Sequence, residues 1–206
     1  MDFALGSGQA LLVDTARAFL ARHGETDTPS EIWRAMAELG WPGLLIPEAH
    51  GGSGGGVLDA VLLVEQFGYA GLAGPFISSA VTGTIILIDA KRSEVLGELA
   101  SGNRRVALAF SEDSGEFTPE SVHATVDQEQ ISGNKMFVKD ADVADDLIVA
   151  ARGSAGLDGY LIPKSEAAIE VVGTISGEDV FGVVFDATRA SADRLLGRVG
   201  GGWEVM

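Results

Sequence analysis

Cysteine is absent from the 206 residues of this chain. The chain therefore has no disulfide, no thiolate metal ligand and no cysteine nucleophile. Proteins without disulfides are typical of reducing compartments, so we expect a cytoplasmic protein.

Basic residues are scarce as well. Lys and Arg number 14 against 30 Asp and Glu, which gives a net charge of -16. Such a surface repels the phosphates of nucleic acids and the headgroups of anionic membranes, so we expect neither as a partner. A small anionic ligand is still compatible with this charge, because a pocket can carry a local charge that the total hides.

The sequence offers few residues in a catalytic or metal-binding pattern. Its three histidines, which are His23, His50 and His123, do not have the spacing of metal ligands, so no metal site is predicted. Glu112, Asp113 and Glu116 lie close together, but this pattern favours a solvated loop face over an acid/base pair. No catalytic residue is therefore predicted within this chain.

Residues 67–88 carry no charge and are numerous enough to cross a bilayer. Pro75 and the glycines near it would break a spanning helix in the middle of the membrane. We therefore expect two buried helical pieces joined by a turn, and no membrane span. The first residues also lack the basic start and the continuous apolar core of a signal peptide.

The first half of the chain has the apolar periodicity of helices. Helices are predicted over residues 11–21 (with Gly24 as the stop), 58–67, 79–88 and 93–100. Another helix should begin at Thr28, because Pro29 suits the first helical position and Glu31 completes a capping box.

A glycine-rich stretch, residues 51–56, invites comparison with a phosphate-binding loop. However, no Lys-Ser/Thr pair follows it, and no strand-to-helix context frames it. A flexible turn before the next helix is the favoured interpretation.

Beyond Arg104 and Arg105 the period changes from helical to alternating. Short strands are predicted over residues 106–110, 122–126, 135–138, 147–151, 159–162, 169–172 and 180–185. Regular short strands with polar turns are typical of a small β-barrel or sandwich. The predicted fold is α+β, with a helical domain over residues 1–104 and a β domain over 105–206.

Two of the predicted strands end on residues that can offer hydrogen bonds. Residues 106–110 lead to Ser111, and the apolar run that ends at Val138 leads to Lys139. Strands that end together on polar groups can form the wall of a cofactor pocket.

The order of several segments resembles the acyl-CoA dehydrogenase family, over nearly the whole chain. These segments are WRAMAELGW at 33–41, LIPEAHGG at 45–52, EQFG at 65–68, GPF at 74–76, GNK at 133–135, VFDATRA at 184–190, LLG at 195–197 and GGGW at 200–203. The resemblance implies the N-terminal helical and middle β domains of that family.

The resemblance also implies a cofactor and a reaction. Members of this family bind FAD and oxidise the α,β carbon–carbon bond of an acyl thioester, with a carboxylate as the base and the flavin as hydride acceptor. On this resemblance the cofactor is expected to contact Leu108, Ala109, Phe110, Ser111, Phe137, Val138 and Lys139. Ser114 and Phe117 are expected to contact the acyl-CoA or other acyl thioester.

Some positions depart from the family pattern. Ser111 stands where the family usually has Thr, and the Gly-Ser-Asp segment that usually follows is replaced by the stretch that contains Ser114 and Phe117. Phe137 replaces the usual Trp and loses its indole donor. Lys139 replaces a hydroxyl donor. If it faces the flavin ring it would favour an anionic reduced flavin, and a solvated strand-end lysine is the alternative.

The family's C-terminal helical domain has no counterpart in these residues. That domain supplies the catalytic carboxylate and most of the oligomer interface, so we expect a homo- or hetero-oligomer that uses such a domain or a partner chain. An electron-transfer flavoprotein is the expected electron acceptor. Two other functions stay open: a non-catalytic subunit or binding module of the same fold, and a flavin-dependent oxidase or hydroxylase.

Overall fold

The computed structural model describes residues 4–23, 27–175 and 179–206. Across these ranges helices come first and strands follow, which confirms the predicted α+β class. Gly24, the predicted end of the first helix, lies outside the described residues.

The helical part consists of short elements. They are α1 (Ser7–Leu20), α2 (Pro29–Glu38), α3 (Val57–Tyr69), a π-helix (Phe76–Gly83), α4 (Thr84–Asp89) and α5 (Ser93–Ala100). The predicted capping box starts α2: Oγ1 of Thr28 accepts from the Glu31 amide at 3.3 Å, and Oε2 of Glu31 accepts from the Thr28 amide at 2.9 Å. These bonds satisfy amide groups that the first turn of a helix leaves unpaired.

The long uncharged run is divided between separate helices. Helix α3 ends at Tyr69, shortly before Gly71 adopts a φ of 65°, and the π-helix begins directly after Pro75. Within the described ranges, no helix has the length and apolarity to cross a membrane.

A chain of aromatic rings forms the centre of the helical core. The ring centroid of Trp41 lies 4.9 Å from that of Phe19 and 5.7 Å from that of Phe67, and Phe67 lies 5.2 Å from Phe76. These edge and tilted contacts join α1, α3 and the π-helix, so the core orients the π-helix against the strands that follow.

The β part forms one sheet in the described residues. Its strands are β1 (Val106–Ala109), β2 (Thr125–Asp127), β3 (Gln130–Lys139), β4 (Asp146–Gly153), β5 (Gly156–Pro163), β6 (Ala168–Val172), β7 (Val180–Arg189) and β8 (Leu195–Leu196), and a short helix α6 (Gly202–Val205) follows. The order is β6-β7-β3-β2-β4-β5-β8, and β1 pairs in parallel with β4. Strand β3 is longer than predicted, and β8 and α6 were not predicted.

One face of these strands surrounds a common apolar core, as expected for a barrel-like domain. In β1 the side chains alternate: Ala107 and Ala109 lie in this core, while Leu108 and Phe110 pack on the opposite side of the strand. This alternation decides which β1 residues a ligand can reach.

Polar contacts fasten the π-helix to the β part. The Val106 amide donates to Oγ of Ser79 at 3.1 Å, and Oγ of Ser78 donates to Oδ2 of Asp140 at 2.5 Å. Val106 is the first residue of β1, and Asp140 directly follows β3. The helical part therefore supports the edge where β1 and β3 meet. The predicted domain boundary between residues 104 and 105 stays a prediction.

Candidate cofactor-binding site

The end of β1 meets the second half of β3. The Met136 amide donates to the Ser111 carbonyl at 2.8 Å, just past the last residue of β1. Four of the seven predicted cofactor contacts retain accessible surface: Leu108, Ser111, Phe137 and Lys139. We call these four residues the strand-end wall.

A β-bulge turns Phe137 outward. Lys135 pairs with Val183 and Val138 pairs with Phe181, so the two residues between them on β3 face one residue of β7. Phe137 adopts a φ of 59°, in the left-handed region that a bulky residue rarely occupies. Its side chain is 48% exposed. Bulges of this kind re-aim a side chain, and they are common beside active sites.

A buried ion pair lies directly behind this bulge. Lys135 is fully buried at 0% exposure, and its Nζ donates to Oε1 of Glu112 at 2.7 Å and to the Phe110 carbonyl at 3.1 Å. Burial lowers the pKa of Lys135, while the hydrogen bond and charge of Glu112 oppose that shift.

Glu112 is a structural carboxylate. Its oxygens accept from the amides of His123 and Ala124 at 2.9 to 3.0 Å as well as from Lys135. Burial alone would raise the pKa of Glu112, but these hydrogen bonds together lower it. The expectation of a solvated face at Glu112 is therefore wrong, because the carboxylate turns inward to the cation. It has no free oxygen with which to act as a base.

The remaining predicted cofactor contacts lie behind the surface. Ala109, Phe110 and Val138 are exposed by 1% or less. Ala109 and Val138 lie in the common core of the strands, and Phe110 is buried on the opposite side of β1, so all three offer almost no surface to a ligand. Direct contact by Leu108, Ser111, Phe137 and Lys139 stays a prediction.

The two predicted substrate contacts lie on the loop after β1. Phe117 stacks on Phe110 with ring centroids 4.1 Å apart, and Trp203 lies 5.7 Å from Phe110. Phe117 and Trp203 remain half-exposed. Oγ of Ser114 accepts from the Glu116 amide and shapes the loop. Contact of Ser114 and Phe117 with a substrate stays a prediction.

The glycine-rich stretch lacks the free amides of a phosphate cradle. The amides of Gly52, Ser53, Gly54 and Gly55 donate to carbonyls of residues 43–47 at 2.7 to 3.3 Å, and the Gly56 amide donates to Asp59. Gly52 and Gly55 instead allow close backbone contact, with the carbonyls of Ile46 and Leu44 respectively. In the described ranges, no group of three or more His, Asp or Glu side chains could hold a metal ion.

The strand-end wall combines a hydroxyl donor with an apolar ring. Within the described residues the Ser111 hydroxyl has no hydrogen-bond partner, so it can donate to a ligand. Phe137 follows Met136, whose amide binds the Ser111 carbonyl, and its half-exposed ring offers an apolar planar surface. An apolar planar surface next to a hydroxyl donor fits a planar ring system that has polar atoms along one edge.

Sequence reasoning missed several residues that build this site. Lys135 and Glu112 were not identified as a pair, and neither Ser78 nor Asp140 was considered. Glu112 and Lys135 are 23 positions apart, and their contact depends on strand pairing. The sequence indicated this pair only through Lys135, which occupies an inward position of a predicted strand where lysine is rare.

A helical region followed by a β-sheet domain is the architecture that acyl-CoA dehydrogenases share. Residues 7–103 match the family model described as "Acyl-CoA dehydrogenase, N-terminal domain". The chain is similar to the structure of an acyl-CoA dehydrogenase complexed with FAD from Bacillus anthracis, with a TM-score of 0.82 and 20% identity, over 98% of this chain and 39% of that one.

Curated relatives agree with this match. Acyl-CoA dehydrogenase FadE12 from Mycobacterium tuberculosis (strain ATCC 25618 / H37Rv) is 29% identical over 92% of this chain and 52% of its own length. Acryloyl-CoA reductase (NADH) from Anaerotignum propionicum is 27% identical over 100% of this chain and 60% of its own length. The chain thus spans about half to three-fifths of these relatives. The resemblance to the acyl-CoA dehydrogenase family is confirmed, over the N-terminal and middle parts of the chain.

Proposed function

We propose that this chain carries the FAD-binding strand-end wall of an acyl-CoA dehydrogenase-type oxidoreductase that acts on acyl thioesters. One observation carries the proposal: a bulge in β3 holds Phe137 outward, at a φ of 59°, directly after Met136, whose amide binds the Ser111 carbonyl. Strained positions of this kind are concentrated at ligand sites. The Ser111 hydroxyl has no hydrogen-bond partner among the described residues. Bound FAD would supply acceptance of a hydride from the α,β carbon–carbon bond.

The chain's own residues would position the cofactor and shield it from water. Ser111 donates a hydrogen bond to the polar edge of the cofactor, and the Phe137 ring covers an apolar part of it and excludes water. Lys139 places a cation at the end of β3, near the same edge. Each of these roles depends on the strand ends being held in register, which the Met136–Ser111 hydrogen bond supports.

The catalytic carboxylate is proposed to come from outside these residues. Glu112 is excluded as a base because both of its oxygens accept hydrogen bonds from the protein. A helical domain or a partner chain would supply the base, and with it an oligomer interface. An electron-transfer flavoprotein is the proposed redox partner, and a cytoplasmic location is proposed from the absence of cysteine.

The direction of the reaction is proposed to be oxidation. The names of the relatives include both a dehydrogenase and a reductase, so both directions occur among proteins similar to this chain. In either direction, the same residues would hold the cofactor and exclude water.

A titration of FAD into the 206-residue chain tests the proposal, with quenching of flavin fluorescence as the signal. We expect saturable binding by the wild type, and for Phe137→Ala a dissociation constant raised by about tenfold, because the ring loses most of its contact area. Val171→Ala, which truncates an exposed side chain on β6, is the control and should bind as the wild type does. Absence of binding by the wild type would overturn the proposal and favour a non-catalytic module.

A further inference from the structure

Consecutive residues of β3 fasten the peptide groups around Ser111. Nζ of Lys135 donates to the Phe110 carbonyl at 3.1 Å, and the Met136 amide donates to the Ser111 carbonyl at 2.8 Å. The carbonyls on both sides of the Ser111 α-carbon are therefore fixed by neighbours on the facing strand. The next residue, Phe137, presents its ring to the surface.

Lys135 is unusual among these contacts because it is a cation with no access to water. A buried charge is costly unless it is paired and hydrogen-bonded. Glu112 provides the pairing at 2.7 Å and is itself fixed by the backbone amides of His123 and Ala124. The ammonium thus has a fixed position, and so does the carbonyl that it contacts.

We propose that Lys135 is a positioning residue for the cofactor: its ammonium holds the Phe110–Ser111 peptide so that the Ser111 hydroxyl faces the ligand. This inference rests on the proposed function, since it assigns Lys135 a part in FAD binding. Lys135 itself touches no ligand, because its whole side chain lies behind the strand-end wall.

A structural role and a positioning role make different predictions. If Lys135 only balances the charge of Glu112, removal of both charges restores both the stability and the FAD affinity that are lost when Lys135 alone is removed. If Lys135 positions Ser111, removal of both charges restores stability, but the Phe110 carbonyl still lacks its donor. FAD affinity then stays low.

The test compares Lys135→Met with the double variant Glu112→Gln/Lys135→Met, in the 206-residue chain. We expect the single variant to unfold at a lower temperature, because Glu112 is left without its cation. The double variant should recover most of that loss. Both should bind FAD about tenfold more weakly, as expected for the loss of one ordinary hydrogen bond in the site.

Hydrogen exchange gives a readout that does not need the cofactor. The Met136 amide should exchange faster in both Lys135 variants, because the Ser111 carbonyl is less firmly held. Arg194→Met is the matched control: it breaks a bidentate pair with Glu166, in which neither residue belongs to β1 or β3, and should change neither Met136 exchange nor FAD affinity.

FAD binding by the wild type and by the double variant distinguishes failure of the positioning role from failure of the proposed function. Wild-type affinity for FAD in the double variant would overturn the positioning role and leave the proposed function intact. Absence of FAD binding by the wild-type chain would overturn the proposed function, and this inference with it.

Discussion

Oγ of Ser78 donates a hydrogen bond to Oδ2 of Asp140 at 2.5 Å, and this contact joins the π-helix to the residue that directly follows β3. Ser78 belongs to the helical part, and Asp140 follows the strand that carries Phe137 and Lys139. The helical part therefore helps to fix one end of the strand-end wall.

Removal of the Ser78 hydroxyl should weaken this junction. A hydrogen bond to a charged group contributes about 1.5–3 kcal/mol, so Ser78→Ala should lower the free energy of unfolding by about 2 kcal/mol. Denaturant titration measures this change. Ser101→Ala removes an exposed hydroxyl that bonds only within its own helix end, and its effect should stay within about 0.5 kcal/mol. Equal effects of the two substitutions would contradict the role of Ser78 at the junction.

The backbone strain at Phe137 can be measured without a ligand. Ala is disfavoured at a φ of 59° and Gly is not, so Phe137→Gly should be more stable than Phe137→Ala by about 1 kcal/mol. At Val171, within β6, the order should be reversed, with Gly less stable than Ala by about 0.5–1 kcal/mol. Thermal or chemical unfolding of the four variants gives both differences. If the Ala variant were at least as stable as the Gly variant at position 137 as well, the Phe137 backbone would not be strained.

The buried ion pair predicts a specific dependence on acid. At neutral pH, Glu112→Gln should destabilise the chain by about 3–5 kcal/mol, because it leaves Lys135 buried without a counter-charge. The pKa of Glu112 is lowered by folding, so its contribution is complete above the ordinary glutamate pKa of about 4.3 and is lost as the pH falls through the folded-state pKa. The ionisable groups that face it are the imidazole of His123, 3.3 Å from Oε2, and the ammonium of Lys135, 2.7 Å from Oε1.

The test is to measure the free energy of unfolding of the wild type and of Glu112→Gln from neutral pH down through the acid range in which Glu112 becomes protonated. The difference between them should shrink as the pH falls. Glu166→Gln makes the same chemical change in a more exposed pair with Arg194 and should cost about 1 kcal/mol or less at neutral pH. A difference for Glu112→Gln that grows in acid would contradict the assignment.

The glycine-rich stretch should tolerate no side chain at Gly52. A Cβ there would lie 2.0 Å from the Ile46 carbonyl oxygen, so Gly52→Ala should destabilise by about 3 kcal/mol through overpacking against backbone. Gly8 is the matched control, because it lies in α1 with open space around it. Gly8→Ala should stabilise the chain by about 0.5–1 kcal/mol. Unfolding midpoints measure both effects, and Gly52→Ala should lower the midpoint while Gly8→Ala raises it.

Local patterns in the sequence predicted much of the helical part. The Thr28–Glu31 capping box and the bounds of α5 depend only on residues near them in the chain, and both agree with the structure. Strand ends were less accurate, because pairing partners set them. Strand β3 extends back to Gln130 since it pairs with β7 along its length.

The site was predictable only in part. Ser111 and Lys139 were predicted as site residues because each follows an apolar run, and the structure leaves both with accessible surface. The outward turn of Phe137 could not be predicted, since phenylalanine rarely adopts positive φ and the bulge depends on the register of β3 against β7. The Lys135–Glu112 pair likewise depends on tertiary contact, not on any local pattern.

Backbone amide NMR of the chain, titrated with FAD, would show whether the cofactor binds at the ends of β1 and β3. We expect shift changes concentrated at Ser111, Phe137 and Lys139, with little change at residues 51–56, whose amides are already bonded within the protein. Changes concentrated at the glycine-rich stretch, or none at the ends of β1 and β3, would contradict the proposed binding site.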